Sequence, residues 1–324
     1  MVRILKKKTK QNFKLLVLDV DNTLFDWVSY YVHAYGAMLH KVSNITGISV
    51  ETLSTESKIV FENHGSIEFP FVLQELPSVT AHYGDDVDGM LQNCVAPARD
   101  VFRTIAIKKL QLYEGVLQAL EMIKRERNDL PIVALTDAPR YVAMWKLNKL
   151  GVLHVFDAVY GLTDPKIPTD QRLGRIKVDA EILLKHLQQN NFGFKGRIRT
   201  LPEEYEKPGI RGLKTVLMDY GLDGTRATRK KVLWVGDNIR KDIGLGTKLG
   251  VVSAWAKYGT NIPDEMMQAL RAFSPERNIH KNANVHSDHP EAAVADIILE
   301  NFADILVHLV ADDAKIASKL RDQK

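Results

Sequence analysis

Apolar residues in this chain gather in short unbroken runs separated by longer amphipathic stretches. Leu15–Leu18 and residues 131–135, 232–235 and 251–255 are rich in Val, Ile and Leu and show no apolar–polar alternation. An alternating strand hides one face; a run without alternation hides both, as strands of a parallel sheet do. Between the runs a helical 3–4 spacing recurs. Val116, Leu117, Leu120 and Ile123 carry it within residues 115–127. Val142, Trp145, Leu147 and Leu150 carry it within residues 139–150, where Pro139 suits a first helical turn. Residues 239–249 form a third such stretch. Strands alternating with helices of this length predict an α/β fold, a doubly wound (Rossmann-like) parallel sheet.

Three stretches break the rhythm. Residues 24–113 hold only helical patterns, such as Tyr31, Tyr35, Met38, Leu39 and Val42, and predict a helical subdomain. Residues 165–206 are polar and basic, with one helical pattern at 179–188 and no strand–helix alternation. A shorter break spans 262–290.

Charge sharpens this division. The net charge of +4 conceals six Lys/Arg in the first fourteen residues and fifteen Lys/Arg against eight Asp/Glu between Pro165 and Lys231. A basic arm and a basic central segment therefore sit on an acidic remainder. On charge alone they suit a polyanion, but a solvated terminus and insert give the same pattern, so nucleic acid is not the expected partner. A single cysteine, Cys94, excludes an intramolecular disulfide and four-cysteine zinc sites. No apolar stretch approaches the length of a bilayer span, and none resembles a signal-peptide core, so a soluble, cytoplasmic protein is expected.

Ligands of doubly wound sheets bind beyond the carboxyl ends of the strands. Three of the four runs lead into a polar residue there: Asp19, Thr136 and Asp237. Asp19 and Asp21 place two carboxylates at i and i+2 after a buried strand, where they repel one another unless a cation or donors compensate. Mg²⁺ favours such oxygen ligands, although an Asx turn capping the next helix has the same composition. Asp237 follows Gly236 and could equally cap a helix. Asp242, five residues on, could support a metal or a lysine from behind. Thr136 offers a hydroxyl near a helix start, suited to a phosphate oxygen. Lys207 lies in a loop that Pro208 and Gly209 keep non-helical.

In chain order these residues read Asp-x-Asp-x-Thr, Thr, Lys-Pro and Gly-Asp-x₄-Asp. That order resembles the haloacid dehalogenase superfamily, in particular its Mg²⁺-dependent phosphohydrolases, over residues 19–25, 113–160 and 205–260. Lys207 matches better than Lys166, because proline follows it and it lies 30 residues before Asp237 rather than 71. The resemblance implies Asp19 as nucleophile and Asp21 as general acid and base. It implies Mg²⁺ held by the Asp19 carboxylate, the Asp21 carbonyl and Asp237, with phosphate oxygens bound by Thr136 and Lys207. Family members that dehalogenate carbon substrates lack the second aspartate, so Asp21 favours phosphoryl transfer.

The expected organisation is a discontinuous core, residues 1–24 and 113–324 with the basic insert at 165–206, and a helical cap, residues 25–112. The expected activity is phosphatase action on a small phosphomonoester, a phosphorylated metabolite, through an aspartyl phosphate. A phosphotransferase or mutase on the same fold and a catalytically silent polyanion-binding scaffold are the alternatives.

Other features carry less. Gly244, Gly246 and Gly250 lie within a helix and read as close packing rather than a nucleotide fingerprint. His280, His286 and His289 read as loop, His33 and His40 as one helix face, Cys94 as packing. Trp27, Tyr30 and Tyr31 read equally as core or as site entrance.

Overall fold

The computed structural model describes residues 12–163, 185, 191–275 and 293–310. Among these residues seven strands form one sheet: β1 Leu15–Leu18, β2 Ile132–Pro139, β3 Ala158–Leu162, β4 Arg197–Leu201, β5 Val232–Gly236, β6 Val252–Ala256 and β7 Ile297–Leu299. The order is β4-β3-β2-β1-β5-β6-β7, with every neighbouring pair parallel. The chain therefore steps outward on one side of β1 as far as β4 and returns through β5 on the other. The crevice at this reversal is where doubly wound sheets bind ligands.

Successive residues of the central strands enter different cores, which is why their sequences do not alternate. Leu16, Leu18, Ile132, Ala134, Leu233 and Val235 pack on one face. Leu15, Val17, Val133, Leu135, Val232 and Trp234 pack on the other. Each Val, Leu or Ile side chain among them, fully buried, contributes about 1.5–3 kcal/mol relative to exposure. Helices Val116–Glu126 and Arg140–Lys149 bury residues in the first core, and Arg211–Asp219 and Gly244–Leu249 in the second.

Between β1 and β2 the chain is helical. It contains α1 Trp27–Thr46, α2 Val50–His64, three short helices, a π-helical turn and the helix Ala96–Lys109. Asp26 caps α1 by accepting from Ser29 N at 2.8 Å, and Gly47 ends it at φ 76°. The i, i+4 aromatics Trp27, Tyr31 and Tyr35 stack along α1 with near-parallel rings 5.1 and 5.5 Å apart. Phe273, from helix Asp264–Phe273 of the β6–β7 connection, packs 4.6 Å from Tyr35 and 6.1 Å from Tyr31. These rings join the helical block to the core beneath it, and the 262–290 break supplies the joining helix.

Several elements depart from the sequence reading. Residues 165–206 do reach the sheet: Arg197–Leu201 forms β4, outermost on its side among the described strands. Its polar sequence follows from that position, since Arg197 and Arg199 are exposed and pair with Asp219. The helical pattern at 179–188 lies outside the described residues apart from Lys185. Pro139 ends β2 and stands at the N-cap of the helix Arg140–Lys149, the position before its first turn, and Thr136 lies in an irregular stretch of that strand, where the register shifts between Leu135 and Pro139. The helix expected at 239–249 begins as a π-helical turn, Ile239–Ile243, before Gly244–Leu249. Gly246 does serve close packing: a Cβ there would stand 3.0 Å from Ser253 Cβ and 3.2 Å from Trp234 Cδ1.

Candidate active site

Sheet register brings the first two acids together. Leu18 pairs with Val235, and Asp19 N donates to Val235 O at 2.9 Å, so Asp19 emerges from β1 beside Gly236 with Asp237 next along. The loop beyond is held from two sides. Asn22, at φ 56°, accepts from Trp27 N, and Tyr258 Oη donates to Thr23 O at 2.6 Å.

Asp19, Asp21, Thr136, Lys207, Asp237 and Asp242 all line one cleft of about 80 Å³. Trp27 and residues 65–68 of the helical block close its far wall. The oxygens of Asp19, Asp237 and Asp242 come within 4.8 Å of one another, and all three residues are buried. Lys207 Nζ reaches Asp19 Oδ1 at 2.7 Å and Asp242 Oδ1 at 2.9 Å. Asp242 Oδ2 accepts from Asn238 N, and Asp242 O accepts from Trp234 Nε1 at 2.8 Å. Asp242 is thus bound on all sides, and the π-helical turn is what carries it under Lys207. Thr136 Oγ1 accepts from Ala138 N at 3.1 Å, which leaves its O–H proton to donate.

Four further residues complete the site, and pattern reading did not find them. Asp137 accepts from Lys207 N at 3.0 Å and pairs with Lys241 Nζ at 2.8 Å, so it fixes the loop that presents Lys207. Lys146, from helix Arg140–Lys149, lies behind Asp21 with no solvent exposure. Its Nζ stands 2.9 Å from Asp21 Oδ1 and 2.5 Å from Oε1 of Glu68, from the helical block. Trp27 Nε1 donates to the same Glu68 oxygen at 3.1 Å. In the structure Tyr141, Ala143, Met144 and Leu147 are all buried around Lys146, so its helix has little polar face to offer a lysine. His33 instead bonds Ser29 O within its own helix, and Cys94 is buried. Lys166, His280, His286 and His289 lie outside the described residues.

Burial and mutual repulsion govern the acids. Burial raises the Asp19 carboxyl to about 7, with Lys207 opposing and Asp242 adding to the rise. Burial likewise raises Asp21 to about 6 against the pull of Lys146. Asp237 is held well above the usual carboxylate range by burial and by Asp242 and Asp19. Burial works against Asp137 too, but Lys241 and Lys207 outweigh it and hold this carboxyl low. Lys207 and Lys146 are held above the ordinary lysine value because neighbouring carboxylates outweigh their burial.

A parallel sheet of this order is a doubly wound α/β fold, and its acidic cleft lies at the strand-order reversal. The haloacid dehalogenase-like hydrolase family model matches residues 13–250, and the chain belongs to that family. Its fold is similar to that of 2-haloacid dehalogenase from Pseudomonas syringae pv. Tomato DC3000, at TM-score 0.51 and 15% identity over 95% of this chain and 99% of that one. It is similar as well to a HAD phosphatase from Thermococcus onnurineus, at TM-score 0.50 and 16% identity over 91% and 97%. No curated protein sequence matches the chain. No described helix is long and apolar enough to cross a membrane.

Proposed function

We propose that the protein is a Mg²⁺-dependent phosphatase that hydrolyses a small phosphomonoester through an aspartyl phosphate on Asp19. One observation carries the reading: Asp19, Asp237 and Asp242 are buried within 4.8 Å of one another, with Lys207 tied to two of them. Seven carboxylate residues, Asp19, Asp21, Glu68, Asp137, Glu206, Asp237 and Asp242, line the cleft against two lysines, Lys207 and Lys241. Such an excess is costly without a cation. A hard divalent ion suits an all-oxygen set. The Asp19 and Asp237 carboxylates and the Asp21 carbonyl would hold Mg²⁺, with Asp242 supporting from behind. When bound, the ion neutralises charge between the anionic nucleophile and the phosphate.

The chain's own groups then divide the work. Thr136 donates its hydroxyl proton to one phosphate oxygen and Lys207 neutralises another. An Asp19 carboxylate oxygen forms a bond to phosphorus as the bond from phosphorus to the ester oxygen breaks, and Asp21 gives that oxygen its proton. Asp21, now ionised, takes a proton from water, whose oxygen bonds phosphorus as the Asp19–phosphorus bond breaks. Phosphate leaves, and Asp19 and the Asp21 proton are restored. A carboxyl raised to about 6 suits Asp21 to hold and release a proton near neutrality. The helical block, as a cap over the cleft, would exclude water and select the leaving group.

Release of phosphate from 4-nitrophenyl phosphate is expected to require Mg²⁺ and to vanish in Asp19→Asn. Activity retained in that variant would refute the assignment.

A further inference from the structure

Lys146 is a fully buried lysine that does not line the cleft, yet it touches a residue that does. An ammonium group is expensive to bury and persists where its partners compensate it fully. Here the partners come from separate parts of the fold. Asp21 follows the core strand β1, Glu68 belongs to the helical block, and Lys146 itself lies on the helix after β2. The rings of Phe25 and Tyr30 stand 5.7 and 6.0 Å from its Nζ and add cation–π attraction. Glu68 is fixed in turn by Trp27 Nε1.

The lysine engages one oxygen of Asp21, Oδ1. A carboxyl that must protonate a leaving group at one moment and accept from water at the next has to present the same oxygen each time. A carboxyl group that rotates freely presents either. Pinning Oδ1 leaves Oδ2 as the oxygen that carries the proton.

We propose that Lys146 is a positioning residue for Asp21, fixing which oxygen meets the leaving group, and that Glu68 secures the lysine when residues 65–68 of the helical block lie against the cleft. This inference rests on the reading of Asp21 as general acid. It goes beyond it in making the acid's orientation depend on a contact from the helical block, so that the acid is correctly presented only with that block closed. Lys146 itself does not touch the substrate.

A purely structural ion pair would leave the same contacts, so the test reads leaving-group dependence. 4-Nitrophenyl phosphate expels a weakly basic phenolate that has little need of a proton, whereas phenyl phosphate expels a more basic one. In Lys146→Met, kcat/KM for phenyl phosphate is expected to fall at least about tenfold more than for 4-nitrophenyl phosphate, within the range of general-acid effects. Equal losses on both substrates, or no loss on either, would overturn the proposal. Glu68→Gln, which keeps the lysine, is expected to show the same bias more weakly and decides the matter if Lys146→Met does not fold; equal effects on both substrates there would count against it. Asp21→Asn separates the two readings. If that variant shows the bias and the lysine variant does not, only the positioning role fails. If Asp21→Asn shows no bias, the general-acid role fails and takes the positioning role with it.

Discussion

Gly236 shows how tightly single residues are drawn around this site. A Cβ there would stand 2.3 Å from Asp242 Cγ and 2.5 Å from Asp242 Oδ2. Asp242 has no room to retreat, being bound to Lys207, to Asn238 N and, through its carbonyl, to Trp234. Gly236→Ala is therefore expected to displace Asp242, release Lys207 and lower kcat by about a hundredfold, the scale of a 1 Å misplacement at a reacting centre. Overpacking should also cost about 1–3 kcal/mol of stability. Steady-state kinetics and thermal melting check both effects. A variant with unchanged kcat would show that Lys207 does not depend on Asp242. The residues gathered here divide by how the sequence marks them. Asp19, Asp21, Thr136, Asp237 and Asp242 stand near the ends of apolar runs, where sheet topology alone predicts convergence. Lys207 has only its proline and its spacing, and Lys146 and Glu68 have neither. An ion pair between residues 78 positions apart leaves no local pattern, and a lysine inside a helix looks like a solvated one until its neighbours are seen to be buried.

At the scale of elements, legibility follows burial only in part: β3 is buried along its whole length, yet Tyr160 and Gly161 interrupt its apolar run. β1, β2, β5 and β6 are legible because both their faces are covered, so selection for apolar residues acts on most positions. β4 is hidden by the same logic. Lying outermost among the described strands, it exposes Arg197 and Arg199, and its sequence reads as loop. β7 is only three residues long. The π-helical turn at Ile239–Ile243 has the composition of an ordinary helix start, and only its hydrogen bonds reveal it. Gly244 N bonds Ile239 O, five residues back. Such turns recur at functional sites because they re-aim side chains. Here the turn buries both Lys241 and Asp242 within the cleft wall.

Taken as a whole, the molecule concentrates negative charge in one buried place. The chain's formal charge of +4 gives no hint of this, because its excess of basic over acidic residues lies in the N-terminal arm and the central segment. Without metal, burial favours the protonated forms of Asp19, Asp21 and Asp237. Asp19 is raised from an ordinary 3.8 to about 7, so between those values the folded state holds protons that the unfolded state has lost. Its contribution to stability therefore falls as pH rises through that window and is flat above it. A bound cation favours the ionised carboxylates and competes with those protons. Mg²⁺ is thus expected to raise the melting temperature clearly at about pH 8 and much less at about pH 5. Thermal melts with and without MgCl₂ at the two pH values check this, and an equal or larger shift at the lower pH would contradict it.

Everything in the proposed chemistry depends on a bond between Asp19 and phosphorus. The direct measurement is to mix the enzyme with Mg²⁺ and radiolabelled 4-nitrophenyl phosphate, quench in acid within a turnover, and map the label by peptide. The label is expected on the peptide containing Asp19, to be released by hydroxylamine as an acyl phosphate, and to be absent in Asp19→Asn. Phosphate release from the native protein with no labelled peptide, or with label on another residue, would contradict the account.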